Sequence, residues 1–245
     1  MKIAIVSDIH ANLAALRALP QDYDQLWCAG DLVDYGPRPV EVIREIRRRA
    51  AVVVSGNHDY AVGYDADPQC SAPFRRLAVE TLRYTRALCS EEELESLRGL
   101  PRHHEVTVGS TRFYLVHAVP TDPFYTYCPE DSDRWIREVD AVHADVLIVG
   151  HTHTPFWHEV GHTTIVNSGS LGQPKSGRSL ACYALWEDGK ISLREYEYPP
   201  EEAIRDVRAM PLSRQDQDAL ISVLETGKLP NIHLPAGPAA DGSRK

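Results

Sequence analysis

Seven side chains able to bind a divalent cation follow short apolar runs in this sequence: Asp8, His10, Asp31, Asn57, His117, His151 and His153. Six of them are Asp or His, which suit borderline divalent ions, and Asn57 adds a neutral oxygen. No thiolate belongs to the set. Asp8 and His10 lie two residues apart, as do His151 and His153, and in extended chain such pairs project to one side, as ligands of a shared cluster must. Taken singly, each piece has an ordinary explanation. Asp-x-His is common turn chemistry, Gly56-Asn57-His58-Asp59 suits a β-turn, and a lone His117 is more often a buried histidine with a hydrogen-bond partner. Jointly, in order and each at the end of an apolar run, they argue for a metal centre.

The elements that must position these groups alternate. Apolar runs at Ile3–Val6, Leu26–Ala29, Val52–Val54, Phe113–Val116, Val146–Val149 and Thr164–Val166 read as buried strands. Between them, Ala11–Ala18 and Pro39–Ala50 carry apolar residues at helical spacing, and the run Arg47-Arg48-Arg49 reads as a solvated helix face. The class is α/β, with distant residues meeting at strand ends. Residues 60–102 break the rhythm: Pro73–Cys89 and Ser90–Leu100 read as two helices, the second opened by a Ser90/Glu93 capping box, forming either an insertion over the site or part of the outer layer. Leu180–Trp186 and Ile191–Tyr196 form a hairpin about an Asp-Gly turn, and helices are expected at Glu201–Ala209 and Ser213–Thr226. One domain is expected over 1–229, with a disordered tail at 230–245.

The 245 residues, 43% hydrophobic, can bury a core without disulfides. Five scattered cysteines with no CxxC pair suggest neither a disulfide framework nor a zinc-thiolate site. A net charge of −9 argues against long nucleic acids and anionic membranes as partners, and no apolar run approaches a membrane span or a signal peptide. A cytoplasmic protein is expected. The oligomeric state is not legible.

The series Asp8-x-His10, Gly30-Asp31-x-x-Asp34, Gly56-Asn57-His58-Asp59, His117 and Gly150-His151-Thr152-His153 resembles the calcineurin-like metallophosphoesterase superfamily over about residues 1–197. The stretches Gly30 to Pro37, His117 to Pro123 and Asn167 to Pro174 look like its small bacterial and archaeal phosphodiesterase-like branch. The resemblance implies a four-layer αββα sandwich of two mixed β-sheets flanked by helices. It also implies two divalent metal ions. Asp8, His10 and His153 would hold the first, Asn57, His117 and His151 the second, and Asp31 would bridge them. Two such ions about 3.5–4 Å apart can share a water whose pKa falls toward neutrality while they neutralise charge on a phosphoryl group. The expelled alkoxide needs a proton, for which His58 is the candidate general acid, kept protonated by Asp34. Mn or Fe is favoured by the mixed oxygen and nitrogen ligands, with Zn, Co and Ni admissible.

Two departures matter. Where the superfamily's protein phosphatases and diadenosine tetraphosphatases carry arginines, this chain has Tyr35 and Ser55. Without two guanidinium clamps a dianionic terminal phosphate is held less well, so diesters or nucleotides become the favoured small substrates. Tyr35, Asn57 and His58 are the expected substrate contacts. Diadenosine polyphosphate or monoester hydrolysis is the alternative, and the rival from another class is a non-catalytic interaction scaffold. The aromatics Tyr60, Tyr64, Phe124, Tyr125, Tyr127, Phe156 and Trp157 follow the site motifs and could stack a base.

Overall fold

A computed structural model describes residues 1–230, so all but the first residue of the tail expected at 230–245 lies outside the described residues. Two five-stranded mixed sheets face one another. The first has the order β10-β9-β1-β2-β3, from β1 (Lys2–Val6), β2 (Gln25–Cys28), β3 (Ala50–Val53), β9 (Ala181–Glu187) and β10 (Lys190–Tyr196). The second has the order β4-β5-β6-β8-β7, from β4 (His103–Val108), β5 (Thr111–Val116), β6 (Val146–Val149), β7 (Phe156–Val160) and β8 (Thr163–Asn167). β1, β2 and β3 are parallel, as are β5, β6 and β8, while β9, β10, β4 and β7 run antiparallel to their neighbours.

The continuous apolar runs follow from burial on both faces. In β1, Ile3 and Ile5 enter the core between the sheets, while Ala4 and Val6 face the helices. In β6, Val146 and Ile148 face inward, and Leu147 and Val149 meet the opposite outer layer. Trp27, Phe113 and Trp186 fill the inter-sheet space, with ring centroids 5.1 and 5.3 Å apart and edges turned to faces. Outside the first sheet pack α1 (Leu13–Ala18), α2 (Pro39–Arg49), α4 (Ala72–Leu88) and α5 (Glu91–Arg98), through Leu16, Ile43, Leu82 and Leu97. Outside the second packs α6 (Arg134–Asp140), through Trp135. These are the four layers of an αββα sandwich. Two further helices, α7 (Glu201–Ala209) and α8 (Arg214–Thr226), pack on one another beside α4.

The segment 60–102 therefore belongs to the outer layer, since Leu82, Leu94 and Leu97 share one core with α1 and α2. Of the three basic residues ending α2, Arg47 and Arg48 are exposed, paired with Glu92 and Glu45, whereas Arg49 turns inward onto Glu45, Leu16 O and the Tyr23 hydroxyl. The Ser90/Glu93 capping box is present. Glu93, only 2% exposed, accepts the Ser90 N–H at 2.9 Å and the Arg44 guanidinium at 2.7 and 3.0 Å. The Ser90 hydroxyl and then Arg44 hold its carboxyl down at about 2, below its ordinary 4.5. Stability from a lowered pKa is full above the unfolded value and is lost as pH falls toward the folded one. Glu93→Gln is expected to cost about 1–3 kcal/mol at neutral pH. That deficit should shrink as pH falls from about 4.5 toward 2, as denaturant unfolding of both proteins would measure. A deficit constant across that window would remove Glu93 from the acid response.

Candidate metal centre

The parallel pairing of β1 with β2 continues beyond both strands. Asp8 N donates to Gly30 O at 3.0 Å, Ile9 N and His10 N to Asp31 O at 2.8 and 3.0 Å, and Ala11 N to Leu32 O at 2.8 Å. Asp8, His10 and Asp31 are thus placed side by side by main chain. The second sheet closes on them through Gly150, whose N–H donates to His117 O at 2.8 Å, and through His151, whose N–H donates to Asp8 Oδ2 at 3.1 Å. Gly56 is required where it stands, because a Cβ there would lie 2.0 Å from Asp31 Oδ1. Asp8, His10, Ala11, Asp31, Asp34, Tyr35, His151 and His153 all have φ between 46 and 73°, a left-handed conformation that side chains rarely adopt. Such strain gathers where surrounding structure over-determines the backbone, as at functional sites.

The two carboxylates are arranged alike. Asp8 Oδ2 accepts from the Ser7 hydroxyl and His151 N, leaving Oδ1 without a donor, 3.2 Å from His153 Nε2 and 3.9 Å from His10 Nε2. Asp31 Oδ1 accepts the His58 N–H at 3.0 Å, and Oδ2 lies 3.2 Å from His117 Nε2 and 3.7 Å from His10 Nε2. The imidazoles are oriented by main chain. His10, His117 and His153 each place Nδ1 on a carbonyl oxygen, of Val33 (3.1 Å), Ala29 (2.8 Å) and Gln173 (2.7 Å). A carbonyl only accepts, so each Nδ1 carries a proton and each Nε2 turns inward, presenting a lone pair in His10 and His153, whose burial keeps them neutral.

This donor set fits a cation. His10 Nε2 and His153 Nε2 face one another at 3.4 Å, and burial drives both imidazoles well below their usual pKa, so two lone pairs meet with no proton between them. Asp8 Oδ1, Asn57 Oδ1 and His117 Nε2 are buried without a hydrogen-bond partner. Two groups have ligand atoms close enough to share an ion: Asp8, His10 and His153, and Asp8, Asp31 and His117. Asp8 belongs to both, and Asp31 Oδ2 also lies between His10 and His117. His151 stands outside these groups, its ring 5.1 Å from that of His117. Asn57 donates Nδ2–H to Pro68 O at 2.6 Å, which fixes its amide with Oδ1 unpartnered.

His58 opens α3 (Asn57–Tyr64), its ring edge-on to His10 at 5.0 Å and 4.9 Å from that of Tyr35. Its Nδ1 donates to Asp34 Oδ2 at 2.6 Å. Burial disfavours the imidazolium, but the charge of Asp31 and the bond to Asp34 outweigh it and raise the pKa. Burial likewise opposes protonation of His117, yet Asp31 carries it to about 9. Asp8 is pushed up to about 6, chiefly by burial, whereas Asp31 is drawn well below its usual range because His117, His58 and His10 overcome its burial. His151 falls to about 3 through burial and then the His117 charge.

Three supporting residues have no role in the sequence reading. Ser7 holds Asp8, and Asp59 accepts from Leu32 N, Val33 N and Gly56 N at 2.8, 3.3 and 2.9 Å, tying the Asp31 turn to α3. Thr81 of α4 donates to Asp34 Oδ1. The turns that carry Ser7 and Asp59 were visible, but nothing in the sequence pairs Thr81 with Asp34. Tyr35 is buried, packed on His10, His58 and Phe74. Of the aromatics following the motifs, Phe124 and Phe156 are core, while exposed Tyr127 has its ring 6.3 Å from that of His151. The segment 167–173 passes the site, with Leu171 N donating to Ser7 O and Gly172 N to Asp8 O.

A family model described as the calcineurin-like phosphoesterase superfamily domain matches residues 1–188. An uncharacterised protein of Methanocaldococcus jannaschii is 30% identical over 84% of this chain and 91% of its own length. The phosphodiesterase YfcE of Escherichia coli is 25% identical over 79% of this chain and 91% of its own length. The crystal structure of a metallophosphoesterase from Sphaerobacter thermophilus superposes with a TM-score of 0.77 at 27% identity, covering 90% of this chain and 98% of that one.

Proposed function

The chain belongs to the calcineurin-like phosphoesterase superfamily, and on that premise we propose that it hydrolyses phosphodiesters or nucleotides at a centre of two divalent metal ions. The observation that carries the reading is the convergence of the inward-turned Nε2 atoms of His10, His117 and His153 on Asp8 Oδ1 and Asp31 Oδ2, with His58 hydrogen-bonded to Asp34 beside them. Asp8, His10 and His153 would hold one ion, Asn57, His117 and His151 the other, and Asp31 would serve both. Bound there, the ions supply Lewis acidity that lowers the pKa of water and neutralises charge on phosphoryl oxygens, and Mn or Fe suits the ligands best.

The chain's own groups complete the reaction. Water's oxygen forms a bond to phosphorus and gives up its proton to solvent, the ester P–O bond opposite breaks, and the departing oxygen takes the proton of His58 Nε2, which solvent then restores. Asp34, accepting from Nδ1, orients the ring and favours its charged form. Asn57 and His58 contact the phosphoryl group, and Tyr35 packs behind the imidazoles that do so. A diester substrate is supported by the uncharged Tyr35 and Ser55, and by the name of the E. coli relative. No helix among the described residues is long and apolar enough to cross a membrane.

The test is metal analysis of purified protein followed by a phosphoester panel. Ions at about two per chain and faster cleavage of an activated diester than of the matching monoester are expected. The opposite ratio makes the protein a phosphatase, and no turnover with metal bound returns it to the scaffold class.

A further inference from the structure

Among the described residues, Lys175 is a cation outside the ligand set that makes no ion pair with a carboxylate. Lys175 follows the turn that serves the site, since Gly172 N donates to Asp8 O at 3.1 Å and Gln173 O accepts from His153 Nδ1 at 2.7 Å. Its ammonium lies over the face of Phe74, 4.7 Å from the ring centroid, and among the described residues it makes no ion pair or hydrogen bond. Phe74 is edge-on to Tyr35 at 6.0 Å, and Tyr35 packs on His10 and His58 at 5.0 and 4.9 Å. Lys175 is half-buried, and burial lowers its pKa against the attraction of Asp8 and Asp31. Its charge in turn disfavours protonation of His10, His58, His151 and His153.

An aromatic face holds an ammonium in place without using its N–H donors. Those three donors are left for an anion. Tyr35 and Ser55 are each 3% exposed and uncharged, and neither offers the phosphate a side-chain cation. We propose that Lys175 is that cation, a substrate-binding residue whose ammonium grips a non-bridging oxygen of the phosphate. A lysine presents a point charge, not a bidentate fork, and so matches the single charge of a phosphodiester better than a terminal dianion. This rests on the hydrolase reading above and narrows it to monoanionic phosphates.

The test compares Lys175→Met and Lys175→Arg with the wild-type, manganese-loaded protein. The readouts are metal per chain, phosphate binding by calorimetry, and the kcat and KM of bis(p-nitrophenyl) phosphate. Lys175→Met is expected to keep its metal, weaken phosphate binding and raise KM by about tenfold to hundredfold, the range of one charged hydrogen bond, with a smaller change in kcat. Lys175→Arg should recover most of the loss. Unchanged phosphate binding and KM in Lys175→Met overturn the assignment, as does loss of metal, which would make the ammonium part of the metal's own support. A wild-type protein that binds phosphate through Lys175 but cleaves no ester sinks the hydrolase reading and supports this one. Ester cleavage indifferent to Lys175→Met sinks this one alone.

Discussion

Asp31→Asn is expected to empty the centre and abolish turnover together. Among the described residues, Asp31 Oδ2 is the one carboxylate oxygen within 4 Å of both His10 Nε2 and His117 Nε2, which on our assignment belong to different ions. The amide has the same shape and can still accept the His58 N–H through its oxygen, so the fold around α3 should survive. What is lost is the negative charge that overcomes the burial of His117 and, in the metal-bound protein, offsets two cations at once. Losing a bridging charge forfeits several kcal/mol of transition-state stabilisation, and each 1.36 kcal/mol is tenfold in rate. A fall of about a thousandfold or more in kcat/KM is therefore expected, with less than one equivalent of metal per chain, measured by elemental analysis alongside turnover. Full occupancy with normal rates would take the bridge away from Asp31.

What the sequence made legible was whatever is buried on both faces or sits in a turn after such a strand. β1, β2, β5 and β6 each end in an unbroken apolar run because alternate residues enter different cores, and each delivers a site residue within a few positions of its end. β4 and β7 lacked that signal. β4 is an edge strand whose residues alternate between exposed and half-buried, and β7 buries only Phe156 fully. α6 is seven residues long and anchors mainly through Trp135, too little for a helical period to register. The site divides in the same way. Ligand types could be read from residue identity and spacing, whereas Thr81 and Lys175 make contacts that only the closed sandwich creates. Thr81 is 47 residues from Asp34, and Lys175 meets Phe74 from a distant part of the chain.

His58→Ala separates chemistry from assembly. The ring lies outside both candidate ligand groups, is bound through Nδ1 to Asp34, and is slightly more exposed than the imidazoles of His10 and His117. Its removal takes away a proton donor while the carboxylates and the three carbonyl-oriented imidazoles stay as they are. Metal content should equal that of the wild type. Positioned general acid catalysis is worth about 10²–10⁴-fold, so kcat should fall within that range. The loss should be greatest for esters of weakly acidic alcohols, whose alkoxides most need the proton, and should nearly vanish for nitrophenolate. Asp34→Asn keeps an acceptor for Nδ1 but no charge to favour the imidazolium. It should fall between wild type and His58→Ala and show the same dependence on the leaving group, which a merely structural role for Asp34 would not produce. Metal lost with the imidazole would make His58 a ligand, and an equal loss for good and poor leaving groups would deny it the proton.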